Sequence, residues 1–214
     1  MKSEASVTLS VAALCIALAV PALAGARTPS ASAAAAETSS ATSSASAIAT
    51  QMVRARAALV KNIDSRTVKT GSQVQARLAD KVHLKNGKEL PSGTVLLGTV
   101  TADSMQSSGA PRLALNFTEA KLKNGTTLPI KATIVGVARP EEMSDEGYNI
   151  VPGAQMPNTW DPTMLRIDAV NALSGIDMHS RIAGDNSGVF ISNKKHEMKL
   201  EQGTELALAL RAAS

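Results

Sequence analysis

The stretch Arg112-Leu113-Ala114-Leu115-Asn116-Phe117-Thr118-Glu119-Ala120-Lys121-Leu122-Lys123-Asn124-Gly125-Thr126 decides the fold. Leu113, Leu115 and Phe117 alternate with Arg112, Ala114 and Asn116, the period of two that turns one face of a strand to a core and the other to water. Between Phe117 and Leu122 the inward parity passes from odd to even positions, which predicts a one-residue bulge at Thr118 or Glu119. Asn124-Gly125 then predicts a type I′ hairpin turn, because this pair tolerates positive φ at both central positions.

The same wording recurs along the chain. Leu84-Lys85-Asn86-Gly87, Leu90-Pro91 and Leu96-Leu97-Gly98 reappear 38 residues later as Leu122-Lys123-Asn124-Gly125, Leu128-Pro129 and Ile134-Val135-Gly136. Leu200-Glu201-Gln202-Gly203-Thr204-Glu205-Leu206 echoes Leu90-Pro91-Ser92-Gly93-Thr94-Val95-Leu96 more weakly. Val74, Ala76 and Leu78, like Leu206, Leu208 and Leu210, keep the period of two. A repeated hairpin whose second strand turns a corner curls a sheet round on itself. The expected fold is all-β, a small antiparallel β-barrel or sandwich over residues 51–212.

Residues 140–187 break the pattern. Pro140, Pro152, Pro157 and Pro162 predict a long proline-rich loop insertion, and Asp161-Pro162 followed by Leu165, Ala169, Ala172 and Leu173 predicts one short helix stopped by Gly175. The insertion also holds the only tyrosine and tryptophan, Tyr148 and Trp160. These are the candidate partner-binding residues, read either as an exposed recognition patch or as a plug anchoring the loop to the barrel.

The first fifty residues read as export and spacing. An apolar run from Val7 to Val20, Lys2 before it and Pro21-Ala22-Leu23-Ala24-Gly25-Ala26 after it have the layout of a signal peptide over 1–26. The run is short of the ~20 residues a bilayer requires, so no stable membrane span is expected after cleavage. Cys15, the only cysteine, lies within it. The mature chain would then carry no disulfide, thiolate metal site or cysteine nucleophile. Of the 23 residues from Thr28 to Thr50, 20 are Ala, Ser or Thr, too small to offset chain ordering, so 27–50 is expected to be a disordered tether.

Composition excludes several chemistries. Aromatic residues make up 2% of the chain, too few to line a cofactor cleft, and no cofactor is expected. Residues 51–139 hold 14 Lys or Arg against 5 Asp or Glu, and 140–214 hold 6 against 11. This asymmetry suggests either a basic face for an anionic polymer or two halves that neutralise each other in space. Nucleic acid is not an expected partner, since no aromatics interleave the basic residues. His83, His179 and His196 lack metal-ligand spacing, and the acidic group Glu141, Glu142, Asp145 and Glu146 lacks a calcium-loop pattern, so no metal site is expected. Asp177-Met178-His179-Ser180 leaves a small envelope hydrolase as an alternative, with His179 served by an acid from 141–185.

The run Leu90-Pro91-Ser92-Gly93-Thr94-Val95-Leu96-Leu97-Gly98, after Asp64-Ser65, Lys69-Thr70-Gly71 and Val74-Gln75-Ala76-Arg77-Leu78, resembles the C-terminal β-barrel of TrbI-type conjugation and type IV secretion scaffold proteins. It also resembles small secreted bacterial proteins of unassigned function. The resemblance covers residues 51–139, with a continuation at 188–211. It implies a non-enzymatic periplasmic or secreted barrel, with no catalytic residues, that assembles with an envelope protein or polymer.

Overall fold

A computed structural model describes residues 32–101, 112–140, 160–193 and 198–213. One helix, α1 (Ser32–Gln51), precedes thirteen strands: β1 (Val53–Leu59), β2 (Ile63–Asp64), β3 (Gln73–Leu78), β4 (Val82–His83), β5 (Glu89–Leu90), β6 (Val95–Thr101), β7 (Arg112–Lys121), β8 (Thr127–Ala138), β9 (Arg166–Leu173), β10 (Ile176–Arg181), β11 (Gly188–Ser192), β12 (Lys199–Leu200) and β13 (Glu205–Ala212). The main sheet runs β6-β3-β1-β13-β8-β7-β11-β10-β9, all antiparallel. Additional pairing of β6 with β7 closes the first six strands into a barrel. Closure chooses barrel over sandwich. It also hides the edges of those six strands.

Aliphatic residues fill the interior. Leu59, Leu78, Leu96, Leu115, Ile134 and Leu208 are each no more than 2% exposed, and Phe117 and Phe190 are completely buried. Burying such side chains stabilises by roughly 1.5 to 3 kcal/mol each.

The bulge lies where the parity change places it. Leu97 faces Glu119 and Gly98 faces Phe117, so Thr118 is the extra residue. Both Asn-Gly hairpins form, but with a different turn from the one expected. Gly87 N–H donates to Leu84 O and Leu84 N–H to Lys88 O, and Gly125, Leu122 and Thr126 repeat the pair. Positive φ falls on Gly87 (80°) and Gly125 (85°) alone, with Asn86 and Asn124 outside the left-handed region. Each is a three-residue loop with glycine in a bulge. The asparagines act through their side chains, Asn86 Oδ1 accepting from Lys88 N–H and Asn124 Oδ1 from Thr126 N–H.

The weak echo also has a structural counterpart. Gly93 N–H donates to Leu78 O while Leu78 N–H donates to Thr94 O; Gly203, Leu59 and Thr204 make the same exchange. The two corners dock against the ends of neighbouring strands β3 and β1. In the second strong copy the corner is lost, and Leu128-Pro129-Ile130 runs straight on within β8.

β7 and β8 pair only at Glu119–Lys121, then splay. Strand β11 takes the vacated side of β7, and β9 and β10 follow it, lying against β8 without pairing to it. Two buried serines stitch this branch. Ser187 Oγ accepts from Phe117 N–H at 2.9 Å beside the bulge, and Ser187 O accepts from Ile134 N–H. Ser180 Oγ donates to Ile134 O at 2.5 Å. Ser187→Ala would leave the buried Phe117 N–H without its acceptor, at about 1 to 3 kcal/mol. The midpoint of urea unfolding should fall accordingly, with the slope unchanged.

One expectation is corrected. Residues 161–173 do not form the short helix; Arg166–Leu173 is β9, hairpinned to β10. Ile167 and Ala169 are buried between exposed Arg166, Asp168 and Val170, so alternation prevails over the helix reading that proline and the apolar spacing suggested. The insertion is thus part strand. The helix α1 spans most of the Ala/Ser/Thr-rich stretch. Alanine favours the helix, and its C-terminal end is secured, Ala49 and Met52 entering the core beside half-buried Ile48. Residues 1–26, including Cys15, lie outside the described residues.

Candidate functional site

The branch hairpin β9–β10 gathers the features that closure removes from the barrel. Its outer strand, β9, is the terminal strand of the sheet and among the described residues is paired on one side only. Ile182 N–H donates to Leu165 O at 2.8 Å, which sets the phase of the ladder. By antiparallel alternation Leu165, Ile167 and Ala169 direct their backbone groups to β10, and Arg166, Asp168 and Val170 direct theirs away from it. Beyond Val170 the edge ends in an irregularity: Asn171 has φ 54°, its N–H donates to Asp177 Oδ1, and its Oδ1 accepts from Gly175 N–H. Val170 is 68% exposed, the one large hydrophobic side chain so exposed among the described residues.

The solvent face of the same hairpin carries a charge cluster. Asp168 stands directly across the ladder from His179, with its Oδ1 2.8 Å from His179 Nδ1 and its Oδ2 2.6 Å from Arg166 Nε. Burial works to raise the Asp168 pKa. Hydrogen bonds from His179 and Arg166, together with their charge, outweigh it and hold the carboxyl below the usual carboxylate range. Whatever stability this shift contributes is present above the unfolded pKa of about 3.9 and is lost as pH falls through the folded value. The difference in melting temperature between the parent and Asp168→Asn should therefore shrink on acidification through that range. A difference that stays constant would contradict the pairing.

His179 also lines a shallow cavity of about 380 Å³ with Arg181, Asp185 and Asn186. Three other hollows, of about 340 to 380 Å³, lie elsewhere on the surface, so volume does not single this one out. The hydroxyl lining the cavity is Ser180's, and it is committed to Ile134 O. An oriented imidazole is present, then, and among the described lining residues the one hydroxyl is already bonded.

Of the residues singled out from sequence, Trp160 is 3% exposed and its Nε1–H donates to Met164 O at 2.8 Å. The indole is buried inside the fold, where its N–H is satisfied. Tyr148, His196 and the acidic group at 141–146 lie outside the described residues. His83 is a surface residue, 3.4 Å from Glu89. No three His, Cys, Asp or Glu converge on a metal position among the described residues. No described helix is long and apolar enough to cross a membrane.

The two charge halves meet in space. Arg54 acts on Asp161, Arg56 on Glu205 and Lys199 on Asp64. The range 141–185 considered for the acid serving His179 contains Asp168, but sequence reasoning did not single it out because it fell in the presumed helix. The alternation Arg166-Ile167-Asp168-Ala169, before the Ser174-Gly175 turn, was the signal that would have found it.

No protein-family model matches the chain, and no curated protein does. Among solved structures, ComB10 of the Com type IV secretion system of Helicobacter pylori is similar, with 11% sequence identity, 74% of this chain and 84% of that chain covered, and a TM-score of 0.37.

Proposed function

We propose that the chain is an exported, non-catalytic binding or assembly module of the bacterial cell envelope, and that it takes its protein partner as an extended segment added to β9. One observation carries this reading: the barrel strands close on themselves, while among the described residues β9 keeps an unpaired side with outward backbone groups at Arg166, Asp168 and Val170. Strand addition draws affinity from such main-chain groups and specificity from alternate side chains. The charges on β9 and the irregularity at Asn171 restrict the edge to a short strand with matching charges, and so guard it against indiscriminate pairing. The leader-like residues 1–26 support an envelope destination.

The full chain, immobilised and exposed to envelope fractions, should retain a specific protein partner that Val170→Lys releases. Val170→Pro, which removes one outward N–H without touching the β9–β10 ladder, should release it as well. Retention unchanged by both would overturn the edge as the contact.

A second reading rests on the Asp168–His179 pair beside a concave surface: a hydrolase in which the imidazole activates water. It requires turnover of a simple ester such as p-nitrophenyl acetate that His179→Ala abolishes. Equal rates for parent and variant would remove it.

A further inference from the structure

The outward side of β9 is complementary to itself. Written along the strand, the residues on its exposed face are Arg166, Asp168 and Val170, and Met164 precedes them in half-buried surroundings. If a second copy is laid antiparallel with Ile167 opposite Ile167, Arg166 falls opposite the second copy's Asp168, and Asp168 opposite its Arg166. Met164 falls opposite Val170 in the same register. Arg166 and Asp168 are also positions whose backbone groups point away from β10, so the register that matches charge matches hydrogen bonding too. A shift that centred the pairing on Asp168 would instead oppose two carboxylates, which disfavours it.

We propose that β9 is a self-pairing edge through which two copies of this chain join their sheets about a two-fold axis at Ile167. The proposal rests on the reading of β9 as a strand-accepting edge, and names a second copy of the chain as an occupant. Three features select that occupant. The charges of the edge alternate in sign in the order that antiparallel self-pairing requires. Val170, 68% exposed, gains an apolar neighbour in Met164. The backbone irregularity at Asn171 ends the ladder on one side, and the use of Met164 O by the Trp160 indole ends it on the other, which fixes the register. An isologous contact of this kind closes on itself and does not propagate. Its ladder is short, so the association is concentration-dependent, of the weak or transient class.

The test uses the purified full chain in sedimentation equilibrium over a wide concentration range. The parent should show a monomer–dimer equilibrium. Arg166→Asp and Asp168→Arg each place like charges across the axis, and each alone should weaken dimerisation at least tenfold. Mixed in equal amounts they restore both opposite-charge pairs, so a dimer containing one copy of each, distinguished by a mass tag, should return. A parent that stays monomeric at all concentrations, or a mixture that stays monomeric while both variants melt cooperatively, overturns the proposal. Should either charge variant fail to fold, Val170→Lys, exposed and outside the ion-pair cluster, should also dissociate the dimer, and a dimer that survives it overturns the proposal. Failure here is separable from failure of the functional reading. A monomeric parent that still loses an envelope partner on Val170→Lys removes self-pairing alone. A dimer without any edge-dependent envelope partner removes the assembly reading alone.

Discussion

Leu115→Asp should abolish cooperative folding. Leu115 is fully buried in β7, and its neighbours on the inward face are Leu113 and Phe117, 1% and 0% exposed. Its ladder partners, Val100 on β6 and Gly188 on β11, carry no charge to set against a carboxylate. An isolated ionised carboxylate taken into an apolar interior costs several kcal/mol after relaxation, and its neutral form is still a polar group without partners. The loss of the leucine adds a further ~2 to 5 kcal/mol of the size seen on truncating buried aliphatics. Against a net stability of about 5 to 15 kcal/mol for an ordinary domain, the sum removes the native state or leaves it a minor species. Circular dichroism of the variant should show neither a sigmoidal thermal transition nor the parent's strand signal. Arg77→Asp, on the exposed face of β3, makes a change of charge twice as large and should stay within about 0.5 kcal/mol of the parent. A cooperative transition for Leu115→Asp near the parent temperature would mean that Leu115 does not face the core.

The contrast shows which parts of the fold could be read in advance. Alternation in β3, β6, β7 and β13 is legible because one face of each strand is buried and the other wet, so the pattern is written in side-chain polarity. The bulge at Thr118 is legible for the same reason, since an extra residue must change the parity of the pattern. The turn type was misread because Asn-Gly suits both a two-residue loop and the three-residue loop that formed. The distinction lies in one backbone hydrogen bond, Leu84 N–H to Lys88 O, that composition does not encode. Closure of β6 onto β7 was foreshadowed only through the repeat. The branch β11-β10-β9 was not foreshadowed at all, because it depends on β8 leaving β7 and on Ser180 and Ser187 bonding across that gap. Serines of this kind look like surface residues until their partners are known.

The candidate site was less legible still. His179 was visible as a histidine near an acid, but the acid considered beside it in sequence was Asp177. The one it meets is Asp168, eleven residues away and opposite it across the β9–β10 ladder. Cross-strand neighbours are hidden until the register is known, and the register was hidden by the helix reading of 161–173. Trp160 was the converse case. Rarity made it conspicuous, yet a single indole with an N–H to satisfy is as well suited to anchoring a loop as to recognition, and Met164 O supplies the acceptor. Val170, the exposed residue that matters most to the proposed edge, is an ordinary valine in the sequence.

Gly98→Val is the second substitution expected to have a large effect, and it tests the bulge itself. A Cβ on Gly98 would stand 2.6 Å from Asn116 O and 2.8 Å from Phe117 Cδ1. Neither neighbour can yield cheaply. The first is backbone at the place where β7 pairs with β6, and the second is the ring of a completely buried phenylalanine. Relief requires β6 and β7 to separate where their pairing closes the barrel, so the cost should exceed the ~1 to 3 kcal/mol usual for overpacking. For a body of this size each kcal/mol lowers the melting temperature by about 2 to 4 °C. A fall of roughly 10 °C or more is therefore expected by thermal denaturation. Two companions separate the causes. Gly125→Ala has nothing within 4 Å of its new methyl, but sits at φ +85°, so it should show only the backbone penalty of about 1 to 2 kcal/mol. Adding Phe117→Leu to Gly98→Val relieves the ring contact and leaves Asn116 O in place, so it should not restore the parent's melting temperature. If Gly98→Val melted no lower than Gly125→Ala, β6 and β7 would not approach as closely as closure of the barrel at Gly98 and Phe117 demands.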